Sequence, residues 1–473
     1  MDVMLFAPEL FLLLGSLLLF LFTLSESTCR NVRGIAIALG IGAVFVTLSC
    51  LNLSGDLFQK AYRVDLFSQL FKLAIAAGFL LVVVFGRQLK GIAPPVRPEY
   101  YLFLTLSCMG LMMLVSSVEL ISLFVSLELS SFALYILVPL RDDSTGLRTQ
   151  MESGIKYMLY GVVATGIMLF GMSYLFGLTG STHLQVLLPR LHAMAGQPAV
   201  IVALAMVLCG FFFKLAVFPF HFWVPDVYQG ASNETAAFIA AIPKLGAVAM
   251  LIRIMTLVTP ADKPLLTMLA ILAVCSMFYG NLAALMQKDV KRMLGFSGIA
   301  HAGFILLGLL TLKEAGFAAS VYYIMGYLVM NLACFLVICT VSKNGENVLI
   351  DDLAGLHKRS PLLAFTLTVG LFALAGIPPF VGFMGKFFLL ASALNAGHLT
   401  VVILAAINTA IAIYYYLSVV KVAYCNAPDL DEPMPVDVYT QAVSVVLILA
   451  IIAFGVLPGP IMAIASAAVH TIL

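Results

Sequence analysis

Long apolar runs recur from one end of the chain to the other, and they constrain the fold more than any short motif does. A helix that crosses a bilayer needs about 20 mostly apolar residues. Fourteen stretches come near that length: 8–24, 34–51, 66–85, 101–115, 118–138, 157–176, 199–220, 235–258, 265–285, 293–311, 316–341, 362–394, 399–420 and 439–464. In lipid, every backbone N–H and C=O must be satisfied within the segment, so such runs can only become helices packed side by side. Composition agrees, with 62% hydrophobic and 10% charged residues and a mean hydropathy of +1.09, where a soluble domain is roughly half apolar and a quarter charged. The expected fold is an all-α polytopic membrane protein in a lipid bilayer, with residues 1–473 forming a single transmembrane domain. The fourth run is short and meets the fifth through Ser116-Ser117, which makes that boundary the least defined. The first run has no basic residues before it and no small-residue cleavage site before Ser25, so it reads as a retained span and not a signal peptide.

Charge fixes the expected orientation. Loops after odd-numbered runs carry fifteen Lys or Arg, among them Arg30, Arg33, Arg87, Lys90, Arg141, Lys291 and Arg292; the opposite loops carry five, namely Lys60, Arg63, Arg190, Lys263 and Lys313. Basic loops stay on the cytoplasmic side. An even number of spans then places both termini together on the other side. The net charge of +2 and the lack of any long basic block give no basis for binding nucleic acid.

Five basic residues remain, and all lie inside the apolar runs: Lys72, Lys214, Lys244, Arg253 and Lys386. A charge at the membrane centre costs about 3 kcal/mol even on insertion scales, so each requires a reason. Lys72 and Arg253 fit a structural role, with long stems that snorkel toward the interface. Lys214, Lys244 and Lys386 are too central for that and read as transport residues. Glu128, in the middle of the fifth run, needs a partner in such surroundings, and Lys214 is the natural candidate. Glu119 lies nine residues earlier, about 14 Å up the same helix and near its end.

All three lysines have a proline nearby: Pro219 follows Lys214, Pro243 precedes Lys244, and Pro378-Pro379 precede Lys386. Pro219 lacks the N–H that would bond Leu215, so the seventh helix should bend or unwind within a turn of Lys214. The twelfth run contains Gly376-Ile377-Pro378-Pro379 ahead of Gly385-Lys386, which can hardly form an unbroken helix. Broken backbone at membrane depth is tolerated where it is buried in protein or lines a polar cavity. Discontinuous helices in matching places of two halves point to an ion path. Helices four to eight (101–258) and nine to thirteen (265–422) would form two five-helix repeats, inverted because five is odd, after helices one to three (1–100) and before a single helix fourteen (439–464). The breaks in helices 7 and 12 then correspond. His301, in the tenth run, is balanced between a neutral hydrogen-bonded core histidine and a proton relay. His221, Trp223 and Asp226 follow the seventh run, where interfacial anchoring is the simpler reading.

No cofactor chemistry is visible on the chain. There is no Gly-rich dinucleotide loop, no Walker loop, no haem-like histidine pair and no Cys set for iron–sulfur ligation. The eight cysteines are scattered, mostly within apolar runs, and read as small buried hydrophobes with no metal or disulfide role.

The run Lys214-Leu215-Ala216-Val217-Phe218-Pro219-Phe220-His221-Phe222-Trp223, the runs Asp289-Val290-Lys291-Arg292 and Ile299-Ala300-His301-Ala302-Gly303, and Gly376-Ile377-Pro378-Pro379 with Gly385-Lys386 together resemble the antiporter-like membrane subunits of respiratory complex I. The opening Ala7-Pro8-Glu9-Leu10 and the lysine in the twelfth run resemble the subunit N group of the bacterial NADH-quinone oxidoreductases. The connection Gln229-Gly230-Ala231-Ser232-Asn233-Glu234-Thr235 departs from the Pro- and Thr-rich segment usual in that family. The resemblance implies a proton-translocating subunit of the membrane arm in a bacterial inner membrane, with both termini periplasmic. Glu128 would pair with Lys214, Lys244 would be the central relay, Lys386 the exit-side group and His301 a possible further relay. The NADH, FMN, iron–sulfur clusters and quinone would bind other subunits, with no redox centre on this chain. A cation/proton antiporter subunit, or a scaffold that only assembles the membrane arm, would share the same helical plan.

Overall fold

The computed structural model describes residues 2–24, 32–86, 89–142, 148–427 and 433–473. Cys29, Arg30, Arg87, Asp143 and the acidic run Asp429-Leu430-Asp431-Glu432 lie outside the described residues.

Every apolar run contains at least one helix. In order these are Ala7–Thr23, Val32–Ser49, Leu66–Phe85, Arg97–Ser116, Leu120–Leu137, Thr149–Thr179, Pro198–Leu215, Asn233–Met255, Lys263–Ala284, Val290–Leu310, Glu314–Val341, Pro361–Ala375 with Val381–Asn395, Leu399–Cys425 and Val438–Val456. They are called below the first to fourteenth helices. The fourth is longer than its apolar core, because Arg97, Pro98 and Glu99 form its first turn. Ser117 is extended and closes it, and the Glu119 carboxylate accepts from Ser122 N at 2.7 Å to start the fifth helix as its cap. The third helix starts on Asp65, whose carboxylate and N–H exchange hydrogen bonds with Ser68 in a capping box.

The eighth helix and, apart from Arg292 at its start, the tenth are buried, whereas the second, sixth, ninth, thirteenth and fourteenth present most of their surface outward. The bundle therefore has a protein-lined centre, and polar groups on its two central helices face neither lipid nor bulk water. Loops after odd-numbered helices interlock on one face. Arg141 donates to Gln229 O at 2.8 Å and Gly345 O at 3.0 Å, Lys90 donates to Ser342 O at 2.6 Å, and Asp226 bridges Lys156 and Arg292 at 2.7 Å each. Burial pushes the Asp226 carboxyl up, but the hydrogen bonds from Lys156 and Arg292 outweigh it and hold the group below the usual carboxylate range. Both termini lie on the opposite face with the even-numbered loops. There Cys50 Sγ donates to Met4 O at 3.6 Å, and His470 lies 3.8 Å from Glu314.

Several expectations need correction. The last run is two helices, because the fourteenth stops at Val456 and a separate helix, Pro458–His470, begins with proline in its first turn, where the missing N–H costs nothing. The all-α plan holds, with one small two-stranded hairpin, Gly55–Leu57 with Tyr62–Val64, in the loop after the second helix. A short helix at Leu184–Ala193 buries only Leu184, Leu187 and Leu191. Lys72 and Arg253 do not snorkel. Lys72 is fully buried against Glu9 at 2.8 Å, and Arg253 pairs with Asp65 at 2.8 Å. Trp223 and His221 are buried as well, so neither anchors an interface. Cys50, Cys108, Cys334 and Cys339 are buried thiols as expected, but Cys425 is exposed.

The fourteenth helix lies directly on the break in the twelfth. A Cβ at Gly455 would collide with the carbonyl oxygen of Pro379 and the backbone of Phe380, which cannot rotate away. Gly455→Ala should therefore lower the melting temperature of the purified full-length chain in detergent, by the equivalent of about 1–3 kcal/mol for overpacking. Gly459→Ala, where a Cβ meets nothing within 4 Å, should leave it unchanged.

Candidate functional site

The seventh and twelfth helices break in the same way. In the seventh, Ala216 adopts a left-handed conformation with φ 70°, and Val217 N donates back to Phe212 O at 2.9 Å. In the twelfth, Gly376 does so with φ 85°, and Ile377 N donates to Phe372 O at 3.0 Å. Each is a helix stop in which an N–H beyond the left-handed residue satisfies a carbonyl of the last turn. The chain then passes through proline, with cis bonds at Phe218-Pro219 and Pro378-Pro379, before a second half-helix begins at Trp223 or Val381. At the first break, Trp223 Nε1 donates to Phe213 O at 3.1 Å and Ser276 Oγ accepts from Phe218 N at 3.0 Å. Freed backbone groups at membrane depth thus find partners in the protein.

Each break carries a lysine. Lys214 sits in the last turn of the first half-helix. Lys386 comes from the second half of the twelfth helix and reaches back to donate to Leu374 O at 3.1 Å and Ala375 O at 2.9 Å. Carbonyls at a helix C-terminus lack intrahelical donors and lie at the negative end of the helix dipole, so an ammonium there is stabilised without a carboxylate. The Lys386 ammonium also lies 5.0 Å from the centre of the Phe304 ring.

Glu128 and Lys214 act on each other electrostatically, yet they are not an ion pair. Lys214 donates instead to Ser131 Oγ at 3.0 Å, and Ser131 donates to Leu127 O at 2.8 Å. Glu128 lies one turn before Ser131, and its Oε1 is buried with no hydrogen-bond partner. A serine hydroxyl therefore stands where the carboxylate was expected. Lys244, on the central eighth helix, donates to Tyr327 OH at 3.1 Å and lies 4.9 Å from that ring's centre. Space for it comes from the tenth helix, where a Cβ at Gly298 would lie 2.7 Å from the Lys244 ammonium.

His301 joins the second half of the site. Its Nδ1 bonds Tyr323 OH at 2.6 Å and its Nε2 bonds Tyr416 OH at 3.1 Å. Its ring is 5.2 Å from that of Tyr327, and it is within electrostatic reach of both Lys244 and Lys386. The structure thus gathers Lys244, His301 and Lys386 around three tyrosines. Among the described residues no hydrogen bond links Lys214 to Lys244. Between them lie Tyr135, Tyr157 and Tyr228, whose buried hydroxyls have no partner. Tyr157 is within electrostatic reach of Glu128, Tyr135 and Tyr228, and Tyr228 of Tyr327. Sequence reading missed all these tyrosines. The available signal was their polar tip inside apolar runs, at one-turn spacing in Tyr323 and Tyr327. Among the described residues no group of three or more His, Cys, Asp or Glu could hold a metal ion.

A second buried cluster is separate from this series. Tyr62 OH donates to Glu9 Oε1 at 2.5 Å, Lys72 donates to Tyr62 OH at 3.1 Å, and both charges are fully buried. Arg253 Nη2 bonds both oxygens of Asp65, at 2.9 and 2.8 Å.

Broken helices in a bundle with lysines along its centre define an antiporter-like membrane subunit, and comparison with known proteins gives the family. Residues 117–412 match the family described as NADH:quinone oxidoreductase/Mrp antiporter, transmembrane. The chain is 54% identical over 96% of its length to NADH-quinone oxidoreductase subunit N 2 of Opitutus terrae, covering 95% of that protein. It is 45% identical to the subunit of the same name from Solidesulfovibrio magneticus over 99% of both chains. A chain of respiratory complex I from Thermus thermophilus superposes with a TM-score of 0.84 at 31% identity, over 97% of this chain and 99% of that one. A chain of the Mrp complex from Dietzia superposes at 0.86 but is 20% identical, which shows shared fold alone. The chain belongs to the subunit N family of bacterial NADH-quinone oxidoreductases.

The Glu9–Lys72 pair permits a direct test of its structural character. Removing one partner of a buried pair strands the other charge, at a cost of about 3–5 kcal/mol. Lys72→Met should therefore lower the melting temperature of the purified chain in detergent strongly. Adding Glu9→Gln to it should recover most of the loss, a coupling read directly from the double-mutant cycle.

Proposed function

We propose that this chain is a proton-translocating subunit of the membrane arm of NADH-quinone oxidoreductase, moving protons through Glu128, Lys214, Lys244 and Lys386 as quinone is reduced elsewhere in the complex. One observation carries the reading. The cations inside the apolar runs fall into two kinds: Lys72 and Arg253 have carboxylates within ion-pair distance, whereas Lys214, Lys244 and Lys386 are held by a serine, a tyrosine and two carbonyls. An ammonium without a counterion can release its proton without breaking an ion pair, which suits a relay and not a structural link.

In this reading Glu128 is the switch. When its carboxylate swings toward Lys214, the ammonium is stabilised; when it leaves, the proton is passed on. The hydroxyls of Tyr135, Tyr157 and Tyr228, with water, would carry it sideways to Lys244. His301 and its tyrosines would connect Lys244 to Lys386, whose half-helix carbonyls release it on the exit side. Helices four to eight and nine to thirteen act as two inverted repeats, with basic loops in the cytoplasm and both termini in the periplasm of a bacterial inner membrane. NADH, FMN, iron–sulfur clusters and quinone are held by other subunits, and this chain contributes no redox centre.

Lys214→Ala in the assembled complex should reduce redox-driven proton pumping in inverted membrane vesicles to a small fraction of the normal rate. Unchanged pumping with intact assembly would contradict the relay.

A further inference from the structure

We propose a proton uptake path that starts at Glu234 on the face of the basic loops and runs between the eighth and eleventh helices to Lys244, passing Asn331 one turn short of Tyr327. The proposal rests on the reading of Lys244 as a relay and deepens it by assigning where its proton comes from.

The two helices run antiparallel, so their polar residues align by register. Glu234 and Lys244 are ten residues apart on the eighth helix, about 15 Å of rise. On the eleventh, Cys339 and Tyr327 are twelve apart, about 18 Å. Tyr327 bonds Lys244 at one end. At the other, Cys339 and Glu234 line the same cavity of about 140 Å³, together with Lys90 and Asp437 from the loops of that face. Glu234 is a buried carboxylate that Lys291 and Lys90 reach electrostatically, and among the described residues it forms no ion pair. Its neighbours Lys90 and Lys291 donate to the carbonyls of Ser342 at 2.6 Å and Ala231 at 2.8 Å.

The interval between the ends is apolar on both helices except at Asn331 and, at the end near Glu234, Thr235. Asn331 lies one turn beyond Tyr327, is 1% exposed, and is close enough to act on the Tyr327 hydroxyl. Neither its amide nitrogen nor its oxygen has a hydrogen-bond partner. Tyr228 enters from the second half of the seventh helix with its ring 6.4 Å from Phe335, and its hydroxyl is also unpartnered. A dry, unsatisfied amide is costly, about 1–3 kcal/mol for each group left unpaired. Water bonded to Asn331 and Tyr228 would remove that cost. A proton taken up by the Glu234 carboxylate would pass along that water to Tyr327. The tyrosine hydroxyl gives its proton to the neutral Lys244 amine and accepts another from water, ending uncharged.

The test compares Asn331→Leu, Asn331→Ser, Glu234→Gln and Lys244→Met in the whole complex, measuring redox-driven pumping in inverted vesicles and complex content on native gels. Asn331→Leu preserves volume but repels water, and should slow pumping about a hundredfold, the low end of what loss of a proton-transfer group costs. Asn331→Ser leaves room for water and should restore most of the rate, while Glu234→Gln should be slow. A purely structural asparagine would give the reverse, with Leu tolerated and Ser harmful. Normal pumping by Asn331→Leu beside a slow Lys244→Met would overturn the path, whereas normal pumping by Lys244→Met would overturn the relay itself. Should Asn331→Leu fail to assemble, Glu234→Gln decides: a normal rate there overturns the path.

Discussion

The structure depends on keeping ammonium groups inside a bundle that lipid surrounds. Each such group costs several kcal/mol unless the protein supplies what water would. The chain supplies it in two ways. In the first three helices and at Arg253 it uses full counter-charges, and the result is rigid: Glu9, Tyr62 and Lys72 form a closed triad. Along the centre it uses dipoles, namely half-helix carbonyls, a serine and tyrosine hydroxyls. Dipoles hold a proton without trapping it, and they can serve either protonation state.

The break in the twelfth helix follows from this. A continuous helix satisfies all its carbonyls internally and has none to offer a lysine. Stopping at Ala216 and Gly376 creates C-termini at membrane depth, each beside a lysine. The surrounding helices then close over the irregular backbone, through Trp223 and Ser276 at the first break and Gly455 at the second. Burial of the eighth and tenth helices on all sides keeps lipid away from Lys244 and His301.

Much of this was legible in the sequence, for identifiable reasons. Helix positions followed from the length of apolar runs. Both breaks followed from proline, and the central lysines from their rarity in such runs. Family resemblance tied these residues together and assigned the relay roles. What sequence could not supply was partnership. Lys72 and Lys214 look alike as isolated lysines in apolar runs, and only the fold places Glu9 against one and Ser131 against the other. Trp223 resembled an interface residue because a bundle can bury one end of a half-helix without any mark in composition. The tyrosines were hidden because a tyrosine in an apolar run is usually just packing. The split at Pro458 was missed because apolar residues continue on both sides of it.

The central claim is that the lysine series is wet and continuous. A structure of the assembled complex at a resolution that shows ordered water tests it most directly. Water should be bonded to the free groups of Asn331, Tyr228, Tyr157 and Tyr135, in a hydrogen-bonded chain from Glu128 and Lys214 through Lys244 and His301 to Lys386. Dry apolar packing between Lys214 and Lys244, or between His301 and Lys386, would contradict it.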